Sequence, residues 1–257
     1  MKNILFVLIL AVAACSQPKK APITEVPKEI NPAADGFNPN SDEKAIAIAD
    51  EVMEAMGGRK NWDDTRYMFW NFFGARTLLW DKLTGDVRID FLNQDQQIMV
   101  NEKTMEGAIW IGGVKMENPD SVAFYMERGK SIWINDSYWL VMPFKLKDSG
   151  VLLSYVGKDT TEAGENSDVI RLTFEGVGKT PENAYNVWVS EEDKFVKQWA
   201  WYVNASDTAA RFTRPWDNYQ KMGGIMLSDE RGNRDLSDVK VLESVPEGIF
   251  EDPAVTL

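Results

Sequence analysis

Most of the chain after residue 65 consists of short runs in which apolar and polar residues alternate, which is typical of strands half-buried in a sheet. The turns between these runs contain Asn, Asp and Gly and are too short for a crossover helix, so neighbouring strands are predicted to pair antiparallel. The pattern predicts ten to twelve strands, in these segments: Arg66–Phe73, Ala75–Lys82, Asp86–Leu92, Gln96–Glu102, Gly107–Ile111, Val151–Val156, Asp168–Glu175, Ala184–Val189, Phe195–Asn204, Ala210–Arg214, Gly224–Ser228 and Val239–Ser244.

Two segments have helical spacing instead. The first helix is predicted over Asp42–Met56, where apolar residues recur every three or four positions and Gly57-Gly58 favours termination. Asn40 or Ser41 is placed to cap its first turn. A second helix is predicted over Asp120–Ile134, between two groups of strands. The predicted fold class is therefore α+β and mainly antiparallel β.

The start of the chain is different from everything that follows. Lys2 is followed by the short apolar run Ile4–Val12 and then by Ala13-Ala14-Cys15, which is typical of a secretory signal with its cleavage point at the cysteine. This pattern resembles the bacterial lipobox, which implies a lipoprotein signal peptide over residues 1–14 and acylation of Cys15. The alternative is an ordinary secretory signal with a chance cysteine. We expect a lipid-anchored protein of the cell envelope, at the outer membrane, on its periplasmic face or at the surface.

Residues 15–40 are predicted to form an extended, disordered tether behind the acylated cysteine, because prolines recur there with almost no aromatic residue. Residues 41–257 are predicted to form one β domain. The prolines of the tether segment are Pro18, Pro22, Pro27, Pro32 and Pro39.

Composition narrows the classes of function. A net charge of −12 disfavours nucleic acids and anionic membrane surfaces, so membrane attachment is assigned to the acyl chains on Cys15. The chain has no histidine and one cysteine, which excludes Ser-His-Asp and Cys-His catalysis and zinc sites built on imidazole. We therefore predict a non-enzymatic monomer without cofactor, resident metal or catalytic residue. A hydrolase based on carboxylates stays open.

Three parts of the sequence carry a resemblance: Gly57-Gly58 with Trp62, the block from Tyr138 to Val151, and Val187-Trp188-Val189. With these, the chain resembles an uncharacterised lipoprotein family of Bacteroidota type, which is similar in turn to the LolA/LolB-like outer-membrane lipoprotein-sorting proteins. The resemblance implies a curled, incomplete β-barrel around an apolar cavity, with an N-terminal helix and a lid-like helix inserted in mid-sheet. It also implies lipid or acyl-chain ligands, but it assigns no ligand-binding residue.

The concave face of such a sheet leaves an apolar cavity if no helix fills it. Aromatic residues are abundant on the predicted strands and on the second helix, and some of them are expected to line that cavity, although core packing is the usual role of any single one. The candidates are Trp70, Phe72, Trp80, Phe91, Trp110, Trp133, Trp139, Trp188, Trp199 and Trp201.

The expected function is binding of lipid, lipoprotein or acyl-chain cargo in envelope transport. One alternative is a surface lipoprotein that binds or processes carbohydrate, and another is a structural envelope module without ligand. The orientation of Trp188, Trp199 and Trp201 distinguishes lipid binding from carbohydrate binding. An enclosed cluster of the three rings favours lipid, and an exposed row beside two carboxylates favours sugar.

Several charged residues are weaker candidates. Asp90 and Glu175 are possible partners for glycoside hydrolysis, although nothing in the sequence places two carboxylates at the required separation. Arg211 and Arg214 are candidates for contact with an anionic headgroup, with surface ion pairs as the alternative. Three acidic loops have oxygen ligands suited to Ca²⁺, but none has the EF-hand spacing, and most acidic turns in a chain of this charge are simply solvated: Asp159–Asp168, Glu191–Asp193 and Asp229–Asp235.

Overall fold

The computed structural model describes residues 38–176 and 179–257. The predicted signal peptide, Cys15 and the tether up to residue 37 lie outside the described residues, so their acylation and extended conformation stay predictions. The end of the tether segment lies within the described part. There, Asn38 is buried and its Nδ2 donates to Glu175 Oε2 at 2.9 Å, so the chain is already packed against the β domain at this point.

Four helical segments occur in the described part. They are α1 (Glu43–Ala55), α2 (Arg59–Asp64), α3 (Pro119–Val141) and a 3₁₀ helix that continues α3 (Met142–Lys145).

The start of α1 differs from the prediction that Asn40 or Ser41 caps it. Asp42 is the N-cap residue and makes no side-chain cap, because its Oδ2 accepts from the Tyr155 amide at 2.7 Å. Ser41 Oγ likewise accepts from the Leu153 amide at 3.0 Å. The side chains of Ser41 and Asp42 thus join the start of α1 to a strand instead of capping the helix. The predicted stop is confirmed, since Gly57 follows the helix with a φ of +114° and Gly224 O lies 2.4 Å from where a Cβ would be.

Fourteen antiparallel strands are present in the described part, and they do not close into a barrel. They are β1 (Tyr67–Phe72), β2 (Arg76–Asp81), β3 (Asp86–Phe91), β4 (Gln96–Asn101), β5 (Gly107–Ile111), β6 (Val114–Lys115), β7 (Val151–Thr160), β8 (Asn166–Phe174), β9 (Ala184–Ser190), β10 (Val196–Tyr202), β11 (Phe212–Pro215), β12 (Asp217–Met222), β13 (Ile225–Glu230) and β14 (Leu236–Leu242).

These strands form three sheets. A seven-stranded sheet has the order β14-β1-β2-β3-β4-β5-β6, a five-stranded sheet has the order β11-β10-β9-β8-β7, and β12 pairs with β13. The predicted mainly antiparallel class is therefore confirmed. Two strands beyond the predicted set are β6 and β12, and neither carries an alternating apolar pattern in the sequence.

The inner face of the seven-stranded sheet packs against α3. Side chains at alternate positions of β1 to β4 are fully buried on this face, among them Trp70, Leu78, Ile89 and Ile98. Trp133 of α3 packs edge-on against Trp80 with ring centroids 5.2 Å apart. The helix therefore covers part of the inner face of this sheet and contacts β4 and β5.

The helix α3 is longer than predicted. It begins at Pro119, where Asn118 Oδ1 accepts from the Ser121 amide at 3.0 Å, and it continues seven residues beyond the predicted end at Ile134.

Arg231, which follows β13, contacts the last turn of α3. Its side chain is fully buried and donates from Nη2 to the Trp139 carbonyl oxygen at 2.8 Å. The Arg231 guanidinium also lies 3.5 Å above the Trp216 ring. The hydrogen bond from Arg231 to the Trp139 carbonyl oxygen satisfies a carbonyl group of the last turn, which has no partner within the helix.

None of the helices within residues 38–176 and 179–257 combines the length and apolar character needed to cross a membrane.

Candidate functional site

A pocket of about 430 Å³ lies between α3, the start of β2, the end of β8 and residues 179–185, which lead into β9. This volume is within the range of roughly 300–1,000 Å³ typical of small-molecule sites. The pocket is lined by Arg76, Ser131, Ile132, Ile134, Asn135, Asp136, Tyr138, Trp139, Phe174, Lys179, Thr180, Asn183 and Tyr185.

The helix α3 supplies one wall of the pocket, and the chemistry of that wall changes along the helix. Ser131 lies at the middle of the helix, Asn135 lies about one turn further along, and Tyr138 and Trp139 lie about one turn beyond Asn135. At 1.5 Å per residue, Ser131 and Trp139 are separated by about 12 Å along the axis. Ile132 and Ile134 also line this wall, so it is mixed polar and aliphatic at the Ser131 end and aromatic at the other.

A buried ion pair also lines the pocket. Arg76 donates from Nε to Asp136 Oδ2 at 2.6 Å and from Nη2 to Asp136 Oδ1 at 2.8 Å, so β2 and α3 are joined by a bidentate pair. Asn135 Nδ2 donates to Asp136 Oδ1 at 2.9 Å. Burial raises the pKa of Asp136, although its bonds with Arg76 oppose the shift. The pair thus places two opposite charges on the pocket wall in a fixed geometry.

The aromatic end of the pocket belongs to a larger ring cluster. Tyr185 stacks on Trp199 with centroids 5.3 Å apart, and Phe174 packs edge-on against Tyr185 at 5.9 Å. Burial raises the pKa of Tyr185 to about 12. The Tyr138 hydroxyl is buried without a hydrogen-bond partner in the described part, and burial raises its pKa well above the usual value. Both phenols are therefore neutral at physiological pH, and this wall of the pocket carries no charge.

The mouth of the pocket is polar. Asn135, Lys179 and Thr180 are exposed and lie at its rim, and Lys179 Nζ donates to Ser131 Oγ on α3. The pocket therefore has an apolar region at its aromatic wall and a polar, charged region at its mouth.

The structure places three of the ten predicted cavity residues at or next to this pocket. Trp139 lines it. Trp199 lies behind Tyr185 and meets Trp139 edge-on at 5.0 Å, and Phe72 meets Trp139 at 6.3 Å. These three rings come from three different elements, β1, α3 and β10.

The other seven predicted residues lie elsewhere. Four of them, Trp70, Trp80, Trp133 and Phe91, belong to the packing between the seven-stranded sheet and α3. Trp201 is partly exposed and packs on Phe212 at 5.4 Å. The remaining two, Trp110 and Trp188, face away from the pocket.

The register of the strands explains these last two orientations. Trp188 pairs with Gln198, so it shares a face with Ala200 and lies on the opposite side of the sheet from Trp199. Its Nε1 donates to Asp159 Oδ2 at 3.2 Å. Trp110 pairs with Gln97 and so lies on the outer face of the seven-stranded sheet. The three tryptophans that were to distinguish lipid from sugar therefore form neither an enclosed cluster nor an exposed row.

The weaker candidates do not contribute to the pocket. Asp90 accepts from Arg88 on the outer face of β3, whereas Glu175 follows β8 in the other sheet. Arg214 bonds to Asn233, and neither Arg211 nor Arg214 lines the pocket. Within the described ranges, no group of three or more acidic residues is arranged to hold a metal ion, and this includes the three acidic loops.

Sequence reasoning missed Arg76, Asp136 and Tyr185 as site residues. Arg76 and Asp136 are 60 positions apart, and no spacing signal connects them. Tyr185 was assigned to a strand, but only the pairing of β9 with β8 and β10 shows which face it occupies.

The sequence matches no described protein family and no curated protein. Among solved structures, a DUF1329 family protein from Desulfovibrio piger is 14% identical with a TM-score of 0.46, over 82% of this chain and 99% of that one. An outer membrane lipoprotein-sorting protein domain from Vibrio parahaemolyticus is 10% identical with a TM-score of 0.44, over 81% and 97%. A LolA superfamily protein from Nitrosomonas europaea is 11% identical with a TM-score of 0.40, over 81% and 97%.

Two of these three structures carry the names of the protein group that the sequence resembles. At such identities and TM-scores, the similarity gives no information about a ligand.

Proposed function

We propose that this protein binds one amphipathic molecule with an acyl chain in the pocket beside α3, and that it does so as an envelope protein anchored through Cys15. The observation that carries the proposal is the pocket itself, which has an aromatic wall at one end and a polar mouth at the other. An acyl chain against Tyr138, Phe174 and Tyr185 gains about 0.8 kcal/mol per buried methylene. The polar end of the ligand then stays at the hydrated mouth.

The alternative of glycoside hydrolysis has no support from this pocket. The carboxylate among its described lining residues is Asp136, which is fully buried and held by Arg76. Hydrolysis of a glycosidic bond uses two carboxylates on either side of the bond, one of which activates water or attacks the sugar. A sugar-processing role is therefore not proposed for it.

The first test is native mass spectrometry of the full chain, followed by lipid extraction. The expected result is one acyl-chain molecule per protein. In parallel, dodecanol is titrated below its solubility limit while tryptophan emission is recorded, because Trp139 lines the pocket. A protein without bound molecule that also shows no response to dodecanol would overturn the proposal.

A pair of matched variants locates the binding. Phe174→Ala removes a ring from the pocket wall, and we expect it to raise the Kd for dodecanol by about tenfold through lost apolar contact. Phe195→Ala is the control, because Phe195 is also partly buried but stacks on Tyr219, away from the pocket. Equal changes in Kd for both variants, with unchanged Tm, would place dodecanol somewhere else.

A further inference from the structure

The charge of the pocket differs in sign from the charge of the chain. Two cationic residues line it, Arg76 and Lys179, and its described lining contains one acidic residue, Asp136. The pocket therefore carries one positive charge in excess, in a chain whose net charge is −12. Charges that line a cleft act on a ligand at short range, where screening by salt is weakest.

The excess charge belongs to Lys179. Arg76 is neutralised by its bidentate pair with Asp136. Lys179 has no carboxylate within ion-pairing distance among residues 38–176 and 179–257, and its Nζ bonds to the neutral Ser131 Oγ. An ammonium group that is held at a pocket mouth by a hydroxyl is free to pair with an anion.

Arg76 provides additional donors on the pocket wall. Its Nε and one N–H of Nη2 bond to Asp136. The other N–H groups of the guanidinium have no acceptor within the described part, although the side chain is only 19% exposed. A guanidinium presents five N–H groups in a planar fork, so Arg76 can remain paired with Asp136 and still donate to a ligand oxygen.

We infer that the ligand of this pocket has an anionic oxygen head group, a carboxylate or a phosphate, held between Lys179 and the remaining N–H groups of Arg76. This rests on the proposed function, since it assigns the head group of the same ligand. The acyl chain points along α3 towards Tyr138 and Trp139, and the head group lies between Ser131, which holds Lys179, and Asp136, which holds Arg76. Neutral amphiphiles of equal chain length leave the Lys179 charge unpaired and bind more weakly.

The test compares three probes of equal chain length: dodecanoate, dodecyl phosphate and dodecanol. Each is titrated below the concentration at which it aggregates, against the full chain at pH 7.5 and low salt, with tryptophan emission as readout. We expect both anions to bind about two- to fivefold more tightly than dodecanol, the range of a partly solvated ion pair. Half-molar salt should remove most of that preference. The net charge of the chain repels anions, so a preference for them cannot come from bulk electrostatics.

Lys179→Gln assigns the effect to one side chain. It should abolish the preference for the anions, so that dodecanoate and dodecyl phosphate bind to the variant no more tightly than dodecanol does. Lys221→Gln is the control, because Lys221 is an exposed lysine on β12 and does not line the pocket. The anion that binds more tightly to the unaltered chain identifies the head group as carboxylate or phosphate.

The outcomes separate this inference from the proposed function. If dodecanol binds as tightly as the anions, or if Lys221→Gln has the same effect as Lys179→Gln, the head-group assignment is wrong while the acyl-chain pocket stands. If none of the three probes binds, the proposed function fails as well.

Discussion

Four charged residues in the described part are almost completely buried, and each connects segments that are distant in the sequence or closes a turn. Asp136 joins α3 to β2, Arg231 joins β13 to the end of α3, and Arg88 holds the C-terminal segment. Asp81 holds Arg66 and the turn after β2. Buried charges cost free energy unless they are paired or hydrogen-bonded, so each of these residues makes its particular contacts necessary in the folded chain.

Asp81 gives a prediction about pH. Burial raises the pKa of this carboxyl, but hydrogen bonds from Arg66 and from the amides of Thr84 and Leu83 outweigh burial and lower it below 3.8. Since the folded state lowers this pKa, the stabilisation is present above the unfolded value and is lost as the pH falls through the folded value. Asp81→Asn should reduce the free energy of unfolding by about 1–3 kcal/mol at pH 7.

Urea unfolding at pH 7, 5 and 3 tests this expectation. The difference between the wild type and Asp81→Asn should be largest at pH 7 and should shrink towards pH 3. Asp95→Asn, an exposed acid in the turn after β3, serves as control and should change little at any pH. A difference that stays constant from pH 7 to pH 3 would show that the charge of Asp81 is not what stabilises the turn.

At the residue scale, burial was easier to predict from the sequence than the face of the sheet on which a residue lies. Trp188, Trp199 and Trp201 were all candidates for one cavity, and the alternation within β10 correctly put Trp199 and Trp201 on the same side. The face of Trp188 depends on its pairing with Gln198, and a shift of one residue would move it to the other side. That register is set by contacts between strands and has no local signal.

At the scale of elements, the strands with alternating apolar residues were predictable and those without were not. The predicted bounds of β1 to β5 agree with the structure to within a residue or two. β12 (Asp217–Met222) was missed because most of its residues are polar and exposed. The predicted end of α3 at Ile134 was wrong: the sequence has no helix stop signal before or within the apolar run Tyr138–Val141, and in the structure this run continues the helix.

The packing of α3 depends on a glycine. A Cβ on Gly129 would lie 2.8 Å from Ile98 Cγ2 and 3.0 Å from Val100 Cγ1 of β4, so the helix approaches the sheet at this point as closely as a glycine allows. Gly129→Ala should lower the free energy of unfolding by about 1–3 kcal/mol through overpacking, although alanine itself favours helix by about 1 kcal/mol.

Glu127→Ala, at an exposed position of the same helix, is the control and should leave stability unchanged or slightly higher. Both variants are compared by thermal and urea unfolding. Because α3 carries one wall of the pocket, Gly129→Ala should also weaken dodecanol binding, which Glu127→Ala should not. A higher Tm for Gly129→Ala would mean that β4 moves aside at little cost and that the close approach of α3 to β4 is not required.

At the scale of the whole molecule, the strand pairing was least accessible from the sequence. The last strand, β14, pairs with the first, β1, and this contact joins segments about 170 positions apart along the chain, as with Met68 opposite Val241. The division into two large sheets, with α3 between strands of the first and strands of the second, likewise depends on long-range contacts. Such contacts determine where the pocket lies, which is why its polar residues were not predicted.

The C-terminal segment, residues 246–257, returns to the outer face of the seven-stranded sheet and is held there by Arg88. This side chain pairs across the sheet with Leu79 and Met99, on the face opposite α3. Its Nη1 donates to the carbonyl oxygens of Ile249 at 3.1 Å and Val255 at 2.6 Å, and its Nη2 donates to that of Pro253 at 3.1 Å. One buried guanidinium thus satisfies several backbone acceptors of a segment that contains no strand or helix.

Arg88→Met should therefore release this segment and leave the pocket intact. We expect hydrogen exchange over residues 246–257 to accelerate and the free energy of unfolding to fall by about 2–3 kcal/mol, because backbone carbonyls lose a charged donor. Hydrogen exchange with mass spectrometry reports on the segment, and dodecanol titration reports on the pocket. Arg234→Met, at an exposed arginine, is the control. Exchange that stays slow in Arg88→Met would show that apolar contacts, such as those of the buried Ile249, hold the segment without the arginine. A weaker affinity for dodecanol would show that the two faces of the sheet are coupled.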